Sequence, residues 1–189
     1  MDQRARIVAT AETLYREIGF QKTTVADIAR ALRMSPANVY RFFGSKAEIN
    51  DAVARLVLSS ILETSNAIAA GEGSAAERLR ALVRNNREKN ADRLLGERKL
   101  HEMVEAALDE DWPIISEYVQ TMRALMARIV ADGVASGEFA PRDPGLAAAL
   151  VQVATICYSH PRLMVECADK PLPSCDEMID FCLGALRAR

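Results

Sequence analysis

Glycine and proline are placed along this 189-residue chain so that long stretches contain nothing to stop a helix. Residues 45–70, 74–95, 97–112, 114–132 and 146–160 hold neither residue, whereas an all-β chain needs turn residues every 8–12 positions or so. The nine glycines and seven prolines instead mark the edges of these runs, several of them beside Ser, Thr or Asp, the side chains that cap a helix start. The chain therefore reads as all-α, with about nine helices. Half of its residues are apolar, enough for a core that needs neither metal nor disulfide to hold it.

Helix 1 is marked by Ile7, Ala11, Leu14 and Ile18 and closed by Gly19, with Phe20 expected to fold back on Tyr15. Thr24-Val25-Ala26-Asp27 has capping-box spacing and opens a short helix 2 with Val25, Ile28, Ala29 and Leu32 inside. Ser35-Pro36 is a cap-plus-proline start for helix 3, anchored by Val39, Phe42 and Phe43 and ended by Gly44. Ser45-Lys46-Ala47-Glu48 opens a long helix 4 with Ile49, Val53, Leu56 and Val57 on one side, running to Gly71-Glu72-Gly73. Helix 5 starts at Ser74, helix 6 covers Asp92 to about Leu108 with Leu95, Leu100 and Val104, and helix 7 follows Trp112-Pro113. Asp143-Pro144 opens helix 8 and Ser174-Cys175-Asp176-Glu177 opens helix 9. The division expected is residues 1–47 as one domain, with a helix-turn-helix over about 24–43, and residues 48–189 as a second, joined through helix 4.

Helices 2 and 3, separated by Arg33-Met34, have the proportions of a helix-turn-helix. On helix 3, Ala37, Asn38, Tyr40 and Arg41 lie away from the apolar anchors, offering small, amide, phenolic and guanidinium groups suited to base edges and phosphates. Net charge agrees: residues 1–50 carry 8 Lys/Arg against 5 Asp/Glu, and the remainder carries 16 against 21. The excess of cations in front suits an anionic partner.

The stretch Thr24-Val25-Ala26-Asp27-Ile28-Ala29, then Met34-Ser35, then Val39-Tyr40-Arg41-Phe42-Phe43-Gly44-Ser45-Lys46, resembles the DNA-binding signature of TetR-type regulators. The resemblance covers roughly the first quarter of the chain. It implies that Thr24, Tyr40 and Lys46 contact phosphates, that Pro36, Ala37 and Asn38, following the Ser35 cap, lie nearest the bases, and that Arg41 reaches either. Arg33 departs from the family, which commonly has glycine in the turn; a side chain at positive φ there costs about 1 kcal/mol, which a phosphate contact by Arg33 would offset. Ser35-Pro36-Ala37-Asn38 also differs from the commoner family type, so the base preference is not transferred.

The resemblance further implies a homodimer on palindromic double-stranded DNA. Leu150, Val153, Ala154 and Cys157 with Met178, Phe181, Cys182 and Ala185 give helices 8 and 9 faces able to pair across a two-fold axis. A small-molecule effector is the expected signal, with His101, Met103, Trp112, Tyr118, Met122 and Met126 as candidate pocket residues, though such stripes also make ordinary core. Cys157, Cys167, Cys175 and Cys182 match no zinc or redox spacing and are read as reduced thiols of a cytoplasmic protein, and Cys157 with His160 falls short of a metal site. No cofactor, no metal and no membrane partner is expected: the run Leu146–Tyr158 is short and interrupted by Gln152 and Thr155. The expected function is a transcriptional regulator, a repressor released by its ligand. An enzyme is disfavoured, since no catalytic set is recognisable, and so is a protein-binding adaptor, which leaves the helix 3 face without a purpose.

Overall fold

A computed structural model of the chain describes residues 2–96 and 98–187, the side chains of residues 93–95 excepted. Among the described residues the elements are ten α-helices and one 3-10 turn, with no strand. In chain order they are α1 Gln3–Ile18, α2 Val25–Ala31, α3 Pro36–Tyr40, α4 Lys46–Ala70, α5 Ala75–Gly96, α6 Arg98–Asp109 and α7 Pro113–Ala135, then α8 Pro144–Ala154, the 3-10 turn Ile156–Tyr158, α9 Pro161–Glu166 and α10 Cys175–Leu186. Two compact units result: Met1–Ser60 with Arg93–Ser116, and Ile61–Asp92 with Glu117–Arg189.

In the first unit α1 packs on α2 and on α6, and α2 packs on α3. Ile7, Ala11 and Tyr15 form the buried stripe of α1, while Ile18 in its last turn is largely exposed. Gly19 closes the helix at φ 99°, ψ 145°, outside the left-handed helical well, and its N–H returns to the Tyr15 carbonyl. Phe20 meets Tyr15 edge-on, with ring centroids 6.4 Å apart. The buried Tyr15 hydroxyl donates to Asn50 Oδ1 at 2.6 Å, tying α1 to α4, and burial pushes its pKa up to about 12.

Besides Ile18, two expected core positions differ. Leu56 is 40% exposed, because the inner face of α4 runs through Ile49, Val53 and Val57 and turns Leu56 outward. Phe42 is only partly buried, because α3 ends at Tyr40 and the following turn delivers Phe43, not Phe42, to the core.

The second unit has a continuous core that includes Leu79, Leu82, Met122, Met126, Ile129, Phe139, Val151, Ile179 and Leu183. Gly133 is required by it: a β-carbon there would stand 2.3 Å from the Phe139 ring. The first turn of α5 is satisfied within this unit, the Glu138 carboxylate accepting from the Ala75 and Ala76 N–H groups at 2.7 and 2.9 Å. Arg80 and Arg84 pair with Asp180 and Asp176, fastening α5 to α10.

Helix boundaries depart from expectation in two places. Helix 6 begins at Arg98, not Asp92, because α5 continues to Gly96; Asn90, buried within α5, donates its side-chain amide back to the Asn86 carbonyl at 2.8 Å. The described residues hold one helix more than the nine expected: α9 starts at Pro161, between the expected helices 8 and 9, and His160 caps it, Nδ1 accepting from the Leu163 N–H at 3.5 Å.

Candidate nucleic-acid interface

The α2–turn–α3 segment is held by its own caps. Thr24 Oγ1 accepts from the Asp27 N–H at 3.1 Å while the Thr24 N–H donates to Asp27 Oδ2 at 2.9 Å, a reciprocal box. The Thr24 hydroxyl, donating to Asp27 Oδ2 at 2.6 Å, and after it the Thr24 N–H hold the Asp27 carboxyl below its usual range. The turn then reverses at Arg33, whose φ of 55° is the left-handed conformation expected where the family carries glycine. The Met34 N–H returns to the Ala29 carbonyl at 2.9 Å, and Ser35 Oγ accepts from the Asn38 N–H at 3.2 Å to start α3. Val39 is fully buried, so the opposite face of this short helix must point outward: Pro36, Ala37 and Arg41 are exposed, Tyr40 is 50% exposed, and Asn38 is half-buried. Thr24, Arg33 and Ser35 are also exposed.

Braces from α1 and α4 hold this surface, and reading the sequence missed most of them. Arg4 Nη1 donates to the Phe42 carbonyl at 2.5 Å, and its guanidinium carbon stands 4.1 Å from the Phe43 ring centroid. The signal was an arginine in the first turn of α1, too common to single out. Lys46 reaches inward: Nζ donates to the carbonyls of Phe20 at 2.8 Å and Gln21 at 3.2 Å, and burial lowers the pKa of the ammonium. Two of its three N–H bonds therefore fasten the loop after α1. At the start of α4, Ser45 Oγ accepts from the Glu48 N–H at 3.2 Å, while Glu48 Oε2 reaches one residue further back, to the Gly44 N–H at 2.9 Å.

Residues 7–53 match the family described as bacterial regulatory proteins, tetR family, and residues 75–177 match the tetracyclin repressor-like C-terminal domain. The chain belongs to the TetR family. It is similar to the HTH-type transcriptional regulator HbdR of Aromatoleum sp. (strain CIB), 33% identical over 63 residues, which are 33% of this chain and 26% of that protein. The chain thus spans about a quarter of the length of this curated relative. A transcriptional regulator of the TetR/AcrR family from Thermobifida fusca YX-ER1 is 27% identical, with a TM-score of 0.62 over 97% of this chain and 96% of that one. A transcriptional regulator from Cytophaga hutchinsonii ATCC 33406 shares the fold, with a TM-score of 0.71 at 18% identity over 96% and 97% of the two chains.

In this TetR-family chain the remaining nominated residues fall in both units. His101 and Met103 are buried on α6 and Trp112 precedes α7, in the first unit. The Trp112 indole N–H donates to Glu110 Oε2 at 2.8 Å. His101 Nε2 has no hydrogen bond; the Glu105 carboxylate stands 3.4 Å away but out of line. Tyr118, Met122 and Met126 lie on α7 in the second unit, where the two methionines are core and the Tyr118 hydroxyl donates to Asn86 Oδ1 at 2.6 Å.

The α8 and α10 residues divide by exposure. Leu150 and Val153 are 63% and 66% exposed, Phe181 is 75% exposed and Ala185 is exposed, whereas Ala154, Cys157 and Met178 are half-buried and Cys182 is turned into the core. Leu146, 61% exposed and one turn before Leu150, belongs to the same surface and went unnoticed in the sequence, although its four-residue spacing was the signal. Helices α8 and α10 pack on one another, so these large apolar side chains stand on neighbouring helices.

Proposed function

We propose that this TetR-family protein is a sequence-specific DNA-binding transcriptional regulator, acting as a homodimer on a palindromic operator and released from it by a small-molecule effector. The observation that carries the reading is the polarity of α3: one side is closed by Val39, and the other offers Pro36, Ala37, Asn38, Tyr40 and Arg41 to a partner. In this reading the first residues of α3 lie against base edges in the major groove, and Asn38 provides the amide that pairs with adenine. Tyr40, Thr24 and Arg33 contact phosphates, and Arg41 reaches phosphate or base. Lys46 acts chiefly through the loop it fastens, with its third N–H left for phosphate.

The dimer is assigned to Leu146, Leu150, Val153 and Phe181, which no described residue of the chain covers fully. Large apolar side chains grouped on two adjacent helices are what a two-fold helical interface buries. Such a dimer presents two copies of α3, which is why the operator is expected to be palindromic. The effector favours one of two dimer geometries, so ligand and DNA must weaken each other reciprocally. His101 is the side chain assigned to meet it, as a buried imidazole whose Nε2 has no hydrogen bond.

The test is the salt dependence of binding to double-stranded DNA, measured by fluorescence anisotropy. A protein that neutralises several phosphates loses affinity steeply with added salt, the logarithmic slope being about −0.9 per phosphate neutralised. The expected result is a steep slope that becomes shallower by about one contact in Arg33→Ala. Affinity that does not change with salt would remove DNA from the proposal and favour a protein partner.

A further inference from the structure

Between α8 and α10 the chain makes a separate excursion: the 3-10 turn Ile156–Tyr158, then α9 Pro161–Glu166, then a tail to Pro173. Its ends are tied together at the base, where the Tyr158 hydroxyl donates to the Pro173 carbonyl at 2.7 Å and the Tyr158 side chain packs against the core. Away from that anchor the described residues give it little cover. Not one of residues 156–173 is buried, and α9 packs chiefly on the 3-10 turn before it. Ile156, Val165 and Leu172 are large, apolar and exposed. A helix of six residues does not hold in water by its own hydrogen bonds: isolated helices are marginal below about 12–15 residues, and most helical stability in proteins comes from a packed face.

We propose that residues 156–173 are an arm that packs on a second copy of this chain and extends the dimer interface beyond α8 and α10; the inference rests on the dimer reading above. Continuity is the first argument. Leu146, Leu150 and Val153 are exposed at steps of four and three along α8, and Ile156, three residues on, carries the same exposed stripe into the arm. Area is the second. Helices α8 and α10 hold 11 and 12 residues, fewer than half of them exposed, whereas a stable interface takes about 20–30 residues a side. The arm supplies further apolar surface where these two helices stop.

Charge is the third. The arm carries Arg162 and Lys170 against Glu166 and Asp169, a balance of cations and anions. A nucleic acid or an anionic membrane calls for an excess of positive charge, which the arm lacks. Across a two-fold axis, by contrast, the cations of one copy can face the anions of the other, so a balanced, partly apolar segment suits its own twin. The order of α9 is then coupled to dimerisation, whereas the core beneath α8 and α10 keeps its packing in the single chain.

The test is hydrogen exchange of the full chain, read by mass spectrometry across a dilution series whose oligomeric state is followed by sedimentation. The α9 amides, among them the Met164 and Cys167 N–H groups bonded to the His160 and Leu163 carbonyls, should exchange about 10-fold or more slowly in the dimer than in the monomer, while those of buried Ile129 and Val130 stay unchanged. If wild type stays dimeric at every dilution, Phe181→Glu supplies the monomer. Val165→Glu combined with Leu172→Glu should weaken dimerisation about 10-fold or more without lowering the melting temperature of the monomer, since neither side chain is buried in its own chain. Equal exchange of α9 in monomer and dimer, or a double variant that dimerises as tightly as wild type, would overturn the arm and leave the α8–α10 dimer standing. A wild type that is monomeric at every concentration would overturn both.

Discussion

The exposed face of α3 and the exposed face formed by α8 and α10 are built by opposite means. On α3 a single turn and a half, Pro36–Tyr40, exposes polar and small side chains, and its position is fixed by caps and by braces from α1 and α4. On α8 and α10 the helices are longer, their buried sides belong to a continuous core, and what they expose is large and apolar: Leu146, Leu150, Val153 and Phe181. Under the proposed function, the difference teaches where each surface would draw its affinity. A polar face gains by matching hydrogen bonds and charges to a partner, so its geometry must be held from behind. An apolar face gains by removing area from water, so it needs little beyond shape and a solid core beneath it.

The largest effect expected from breaking this contrast comes from Phe181→Glu. A charge in the centre of the apolar face should convert the proposed dimer to a 20.8 kDa monomer in sedimentation and lower operator affinity about 30-fold or more, since a central aromatic anchor contributes about 2 kcal/mol or more. Because Phe181 touches little of its own chain, the melting temperature of the monomer should change least; a dimer that survives would move the interface elsewhere. Tyr40→Ala and Asn38→Ala attack the polar face and should each cost about 1–3 kcal/mol of DNA affinity without changing the oligomeric state. Asn38→Ala should also relax base preference at one position, whereas Tyr40→Ala should weaken all sequences alike.

Arg4→Ala should have a smaller effect, about 1 kcal/mol, seen in DNA affinity and thermal stability together because it loosens the brace on Phe42 and Phe43. Its salt slope should stay that of the wild type; a shallower slope would mean that Arg4 itself meets phosphate. The smallest effect is the titration of Tyr15, which is silent at neutral pH. Its folded pKa is raised from near 10 to about 12, so its neutral form contributes stability that is complete below pH 10 and is lost as pH rises through about 12. Wild type should therefore lose stability between these values, measured by denaturant unfolding, and Tyr15→Phe should flatten that decline.

What could be read in the sequence was local. Thr24, Ser35, Asp143 and Ser174 all cap the helices that follow them, as their spacing predicts, because a cap involves residues two or three apart. Arg33 takes positive φ for the same reason: the two-helix pattern leaves the turn no other way to reverse. Long-range contacts were not legible. Nothing near Lys46 announces that its ammonium reaches the carbonyls of Phe20 and Gln21, and nothing near Arg4 announces Phe43. Periodicity also placed Leu56 inside α4, but it registers only that a residue is apolar, not which helices are present to cover it. The apolar stripes read as a pocket and as an interface look alike in sequence; exposure separates Met122 and Met126 in the core from Leu150 and Phe181 at the surface.

The most direct measurement is selection of bound duplexes from a random DNA library, run in parallel with wild type, Tyr40→Ala and Phe181→Glu. The account predicts a palindrome with two half-sites enriched by wild type, strongly reduced enrichment with Tyr40→Ala, and loss of the two-fold pattern with Phe181→Glu. Equal enrichment by all three proteins, or none by the wild type, would contradict it.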